Sequence, residues 1–415
     1  MNDPIIARRD CERMDAEDPL AHMRKRFRIP EELIYLDGNS LGALPASTPS
    51  RLAEVIAREW GDDLIRSWNA HDWIGLPQRI GARIASLIGA SEDEVIAADS
   101  TSVNLFKLAA AGLRLNAPRR AIVSERGNFP TDLYVLQGLR DLLGGTSELR
   151  LVAREDINSA LDGDVALLVL THAHYKTGAL HDIRALTQAA HAAGALTLWD
   201  LSHSAGAVEL FLDRDESDLA IGCGYKYLNG GPGAPAFLYV ARRHQQSLRQ
   251  PLSGWMGHAA PFEFGDDYRP AEGMARTLCG TPAVLAMAAL AEGVATFDGV
   301  AMREVRAKSK ALGDLFLTLV ESRCPGAGFE IACPRDAEQR GSQVALRHGE
   351  GYAIVQALIA RGVIGDFRAP DILRFGLTAL YTRYVDIWDA VGRLAEIMAG
   401  GVWRDERFRH RAAVT

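Results

Sequence analysis

Five short runs of β-forming, mostly apolar residues recur along the middle of the chain, at Ala121–Val123, Val165–Leu170, Leu196–Trp199, Leu219–Ile221 and Ala236–Val240. Helical stretches separate several of them. In HDIRALTQAAHAAG, Ile183 and Leu186 are spaced for one helix face and Gly194 closes the end. Strands that are apolar along their whole length require cover on both faces. Their alternation with helices therefore predicts an α/β fold built on a mostly parallel sheet.

The flanks read differently. The first fifty residues suggest a short helical arm followed by the turn-rich segment YLDGNSLGALP. Residues 51–87 have a helical pattern interrupted by Trp60, Trp68 and Trp73. After Pro282, AVLAMAALAEGVATF predicts a long helix leading into a smaller α+β unit, with strand candidates near Ser342–Leu346 and Leu373–Thr378. A chain of 415 residues exceeds the size at which single cores stop growing. The expected division is an arm over 1–50, a large domain over 51–290 and a small domain over 291–415.

A formal charge of −7 gives no general attraction to nucleic acid or to an anionic membrane. The N-terminus has no apolar core of the kind a secretory signal needs and is too acidic for a transit peptide. No apolar stretch is long enough to span a bilayer. Five scattered cysteines without a CxxC pair suggest reduced thiols in the cytoplasm.

In open α/β sheets, ligands bind beyond the carboxyl ends of the strands. After LTLW comes Asp200-Leu201-Ser202-His203-Ser204, and after LAIG comes Cys223-Gly224-Tyr225-Lys226. RAIVSERGN is followed by Phe129-Pro130-Thr131-Asp132, and VALLVL by Thr171-His172-Ala173-His174. Four strand-like units thus deliver reactive side chains to one edge. A carboxylate and an amine there suit pyridoxal phosphate, whose pyridine nitrogen stays protonated beside a fixed Asp and whose aldehyde condenses with a lysine. Asp200 and Lys226, 26 residues apart, fill those two roles. Taken singly, the first fits a turn cap and the second a solvated loop. Asp99-Ser100-Thr101-Ser102 precedes the helical stretch LFKLAAAGL, which offers hydroxyls and free amides to a phosphate, or simply caps a helix.

The segments FPTD, WDLSHSAG, GYKYLNGGPG, SGWMGH and LRFGLTALY, in this order, resemble the kynureninase family. The likeness runs from YLDGNSLG to LRFGLTALY, nearly the whole chain. It implies a homodimeric pyridoxal-phosphate enzyme of the aspartate-aminotransferase fold type, with a Schiff base on Lys226 and Asp200 beside the pyridinium. By the same resemblance Thr101, Ser102, Phe129, Pro130, Thr131, Asp132, Thr171, His203 and Tyr225 line the cofactor. Trp255 and Thr281 come from the neighbouring subunit near the phosphate. Arg374 grips the substrate's α-carboxylate with a bidentate fork, and Asn39 and Ser40 lie where the arm approaches substrate. The implied reaction is hydrolysis of L-kynurenine to anthranilate and L-alanine, with Lys226 as base and Tyr225 as acid. Thr281, where some relatives carry Asn, and Met256 leave the ring-hydroxylated substrate open.

Two other readings compete. A cysteine desulfurase or class V aminotransferase usually has Gln three residues after the Asp, where this chain has His203, and a desulfurase needs a reactive Cys, for which only Cys324 is loop-like. A metal hydrolase could use His172 and His174, which share a strand face, but third and fourth ligands are not evident.

Overall fold

The computed structural model describes residues 6–411. The apolar runs form one seven-stranded sheet: β1 (Val95–Ala97), β2 (Ala121–Glu125), β3 (Glu148–Val152), β4 (Val165–Thr171), β5 (Leu196–Asp200), β6 (Leu219–Gly222) and β7 (Phe237–Val240). Their spatial order is β1-β7-β6-β5-β4-β2-β3. Strands β2 to β6 are mutually parallel, β7 is antiparallel to β6, and β1 is antiparallel to β7. Two reversals restore direction, so the carboxyl end of β1 lies on the same edge as those of β2 to β6. All seven residues of β4 are buried, as a strand covered on both faces must be. Sequence patterning missed β1, which is only three residues long, and β3, an edge strand whose Glu148 and Arg150 break the apolar run.

Helices α1 (Arg8–Glu17), α2 (Thr48–Glu54), α3 (Leu76–Ile88), α4 (Thr101–Leu115), α5 (Pro130–Leu142) and α6 (Ile183–Ala192) follow the chain through this sheet. The helical pattern over 51–87 is not one helix. It passes from α2 into a π-helical stretch, Val55–Asp62, then breaks where Leu64 and Asp72 adopt left-handed backbone (φ 51° and 46°). It restarts at α3 with Pro77 in the first turn, where its missing N–H costs nothing.

Beyond α7 (Val284–Ala295), strands β8 (Glu330–Ile331), β9 (Gln343–Arg347), β10 (Asp366–Arg368) and β11 (Ile372–Gly376) make an antiparallel sheet in the order β8-β9-β11-β10. Helices α8 (Met302–Arg323), α9 (Gly351–Ile359) and α10 (Tyr384–Gly400) pack with it around Phe316, Leu346, Leu373, Phe375 and Val391.

The arm links the two sheets. Asp15 of α1 accepts the amides of Tyr384 and Val385 (2.7 and 3.1 Å), which satisfies the start of α10. Asp37 then bridges to Gly376, and the Gly42 amide donates to the Tyr225 carbonyl at 2.8 Å. A Cβ on Gly42 would sit 2.4 Å from the Lys226 carbonyl oxygen, so the DGNSLG turn closes over the lysine loop only with glycine there.

Candidate active site

Strand register assembles the site. Thr171 pairs with Asp200 between β4 and β5, and Asp200 pairs with Ile221 between β5 and β6. The two polar strand ends therefore stand side by side, and the Cys223–Lys226 turn follows β6 directly. They open into a cavity of about 480 Å³, within the range that small-molecule sites occupy. Thr101, Ser102, Phe129, Thr131, Asp132, Thr171, Asp200, His203, Tyr225 and Lys226 all line it. Pro130 opens α5 just behind Phe129 and is not a lining residue. Asp99 and Ser100, from the segment expected to receive a phosphate, line it as well, together with Tyr175 and Ser202.

The polar groups form a connected set. Lys226 Nζ lies 2.9 Å from His203 Nε2. Burial, and then the charge of Lys226, hold the His203 imidazole well below its ordinary pKa, so the ring is neutral and can accept from the lysine. His203 Nδ1 is buried without a partner. The Ser202 amide donates to Asp200 Oδ1 at 2.8 Å. Burial, reinforced by the negative charge of Asp200, pushes the Asp132 carboxyl well above the usual carboxylate range. Thr171 Oγ1 stands 3.1 Å from Asp132 Oδ2 and 2.5 Å from Asn128 Oδ1. Burial also raises the Tyr225 phenol, so it keeps its proton at neutral pH.

At the cavity's other end Ser100 caps α4, its Oγ accepting from the Val103 amide at 3.3 Å. The earlier amides of that turn have no intrahelical partner and are suited to an anion. Phe129 and Tyr175 meet edge to face on the cavity wall, with centroids 5.3 Å apart. Lys226 Nζ is 5.9 Å from the Phe129 ring.

Arg374 departs from expectation. Its fork is mostly taken up within the chain: Nε and Nη2 both bind Asp366, Nη2 also meets Ser40 Oγ at 2.9 Å, and Nη1 donates to the Tyr175 carbonyl, which leaves one Nη1 N–H for a ligand in place of a bidentate face. Antiparallel register is the cause, because Asp366 of β10 stands directly opposite Arg374 of β11. Arg374 is 1 % exposed, whereas Arg368 shares Asp366 at 2.7 Å and keeps 35 % of its side chain exposed. Asp366, Arg368 and Tyr175 are the residues that reading by motif missed. The segment DFRAPDILR, two short strands about a turn, is the signal that could have found the first two.

Asn39 and Ser40 lie behind this cluster. Asn39 donates to Gln343 Oε1 at 3.3 Å and Ser40 to Asp366 Oδ2 at 2.7 Å. Trp255 and Thr281 do not line the cavity of their own chain. Trp255 packs edge to face on the exposed Phe262, and Thr281 lines a smaller hollow that shares Asp99 and Gly233 with the main cavity.

The rival chemistries find no support in this geometry. Both nitrogens of His174 are engaged, by the Gly127 carbonyl at 3.0 Å and Thr177 Oγ1 at 3.1 Å. Burial pushes His172 down to about 3, and its Nδ1 is 2.8 Å from Ser204 Oγ. Among the described residues no group of three or more His, Cys, Asp or Glu could hold a metal ion. Cys324 ends α8 away from the cavity, and burial raises its thiol to about 11, the reverse of activation.

Residues 305–394 match the family model described as the kynureninase C-terminal domain. A protein named kynureninase from Burkholderia mallei (strain SAVP1) is 53% identical over 407 residues, covering 97% of this chain and 98% of that one. One from Pseudomonas fluorescens is 50% identical over 416 residues, covering 99% and 100%. Among solved structures, the apo cysteine desulfurase from Thermococcus onnurineus NA1 superposes with a TM-score of 0.76 at 18% identity, covering 91% of this chain and 98% of that one. At that identity it speaks for the fold alone.

Proposed function

The chain belongs to the kynureninase family, pyridoxal-phosphate hydrolases that cleave a carbon–carbon bond of kynurenine, and on that premise we propose which of its residues do the work. The observation that carries the proposal is the single cavity that gathers Lys226, Asp200 and the start of α4. Those residues fit the cofactor: a buried carboxylate for its ring nitrogen, an amine for its aldehyde, free helix amides for its phosphate, and an unmatched His203 Nδ1 among the buried polar atoms. When bound, pyridoxal phosphate supplies an electron sink for negative charge at the substrate's carbons.

The chain's own groups do the rest. Asp200, oriented by the Ser202 amide, holds the ring-nitrogen proton. Phe129, on the cavity wall, would supply an apolar face for the ring. Lys226, with neutral His203 as acceptor, is the base that takes the α-proton of L-kynurenine. Hydrolysis adds water to the γ-ketone and breaks the Cβ–Cγ bond, releasing anthranilate. Tyr225, which keeps its proton, is the acid that protonates Cβ once the bond has broken, and Lys226 returns the α-proton to Cα to complete L-alanine; each such proton transfer is worth about 10²–10⁴-fold. Arg374, backed by Asp366, orients the α-carboxylate together with Arg368.

We also propose the division into an arm over 1–50, a large domain over 51–290 and a small domain over 291–415, supported by two sheets with separate cores. We propose a homodimer in which Trp255 and Thr281 complete the neighbour's site; their position outside their own chain's cavity supports it. Five unpaired cysteines support a reducing, cytoplasmic setting. Among the described residues no helix is long and apolar enough to cross a membrane.

The test is direct. Purified protein should be yellow, cleave L-kynurenine, and retain a borohydride-fixed label on Lys226. Peptide mapping that found the label on another lysine would overturn the assignment.

A further inference from the structure

Helix α4 carries a second buried lysine that this mechanism does not use. Lys107 is 0 % exposed. Its Nζ donates to Asp99 Oδ2 at 2.6 Å and to the Thr277 carbonyl at 2.7 Å, and lies 3.9 Å from Cys279 Sγ. These partners come from two segments. Asp99 is the residue before the Ser100 cap and lines the cavity, whereas Thr277 and Cys279 lead to Thr281. A fully buried ammonium persists only where it is paired and hydrogen-bonded.

Asp99 is itself in an unusual position. Its backbone is left-handed (φ 48°), a conformation that a non-glycine residue holds only when its surroundings fix it. Its carbonyl accepts the Ala236 amide at 2.9 Å, and its carboxylate is held by Lys107. The carboxylate is 30 % exposed beside the free amides of α4. Left unpaired there, it would repel the anion those amides are placed to receive.

We propose that Lys107 is a positioning residue for the phosphate end of the cofactor. Through Asp99 it fixes the turn that opens α4, and it cancels the one negative charge at that end of the cavity. The proposal deepens the functional reading and rests on it in placing the phosphate at residues 99–102.

The experiment measures dissociation constants of pyridoxal phosphate and of pyridoxal, which lacks the phosphate, by absorbance titration of the full-length apoprotein. Inorganic phosphate serves as competitor, and kynurenine cleavage is assayed on the same samples. Lys107→Met should weaken pyridoxal phosphate about tenfold or more while leaving pyridoxal nearly unchanged, and phosphate should compete less well. Asp99→Asn keeps a residue tolerant of left-handed backbone and removes the charge, so it should not weaken pyridoxal phosphate. Added to Lys107→Met, it should restore most of the loss.

Equal effects of Lys107→Met on both ligands, or none, would show a purely structural lysine and overturn the proposal. If Lys107→Met does not fold, Asp99→Asn decides: unchanged or tighter pyridoxal phosphate supports the proposal, and a loss confined to the phosphorylated ligand overturns it. Wild-type protein that cleaves kynurenine yet binds both ligands equally would overturn the phosphate placement alone. Wild-type protein that binds neither and cleaves nothing would overturn the functional reading, and this inference with it.

Discussion

Asp366 faces Arg374 across β10 and β11 and holds it by two bonds, Nε to Oδ1 at 2.8 Å and Nη2 to Oδ2 at 2.5 Å. Both side chains are almost wholly buried, 2 % and 1 % exposed. The guanidinium is therefore fixed before any ligand arrives, and the Nη1 edge is the one turned toward Tyr175 of the cavity wall. Under the proposed function, such fixing would place the substrate carboxylate accurately with respect to Lys226.

Replacing Arg374 with Ala should leave the cofactor's absorption unchanged and lower kcat/KM by about 10²-fold or more, because the α-carboxylate would be misplaced. Arg374→Lys should also be poor, since an ammonium cannot span Asp366 and the ligand together. Asp366→Ala strands a buried guanidinium and should cost about 3–5 kcal/mol, seen as a fall in Tm. Near-normal kcat/KM in Arg374→Ala would refute the placement of substrate.

Arg368 offers a different signature. It shares Asp366 with Arg374 but is partly exposed, so it can contribute attraction without being needed to hold the cluster together. Arg368→Gln should raise KM for L-kynurenine about tenfold while kcat falls much less. The decarboxylated amine of the same substrate should bind equally well to both proteins. An unchanged KM would show that Arg374 works alone.

What could be read in advance follows from range. Each apolar run is contiguous in sequence and the residue after it sits at the strand end, so Thr171, Asp200 and Lys226 could be placed by counting. Side-by-side placement then followed from the parallel register. The Asp366–Arg374 bond depends on the register of a second sheet, which no local pattern fixes, so Arg374 could be found but its occupied fork could not. Tyr175 falls in an irregular loop after β4, and the break over 63–75 turns on left-handed backbone at Leu64, a residue that does not advertise it.

A pH dependence is expected from Asp218, which is 1 % exposed. Burial alone would raise its carboxyl, but His244 at 2.7 Å, His191 at 2.8 Å and the Thr197 amide at 2.8 Å outweigh that and hold it well below the usual range. Arg243 adds a further bond at 2.8 Å. A depressed folded-state pKa contributes stability above the unfolded value, about 3.9, and loses it as pH falls toward the folded one. Asp218→Asn should thus be much less stable than wild type at pH 7, by urea denaturation, with the gap closing below about pH 4. A gap that stayed constant down to pH 3 would refute the assignment.

Assembly gives the last test. Trp255, Phe262 and Phe264 are 36 %, 59 % and 77 % exposed, and Phe262 meets each of the other two edge to face. Clustered exposed aromatics mark an interaction surface, and two-fold pairing of identical chains is the commonest way to cover one. The cluster lies in the segment that runs on to Thr281, and neither Trp255 nor Thr281 reaches the cavity of its own chain. A second copy seated on this face would cover the aromatics and bring those two residues to a cavity at once. Phe264→Asp, which puts a charge where burial is required, should shift the protein from dimer to monomer in light scattering. It should also weaken pyridoxal phosphate binding, although Phe264 itself does not line the cavity. A wild-type monomer with full kynurenine cleavage would refute the shared site. A Phe264→Asp monomer with unaltered cofactor affinity would show that each chain's cavity is complete without its neighbour.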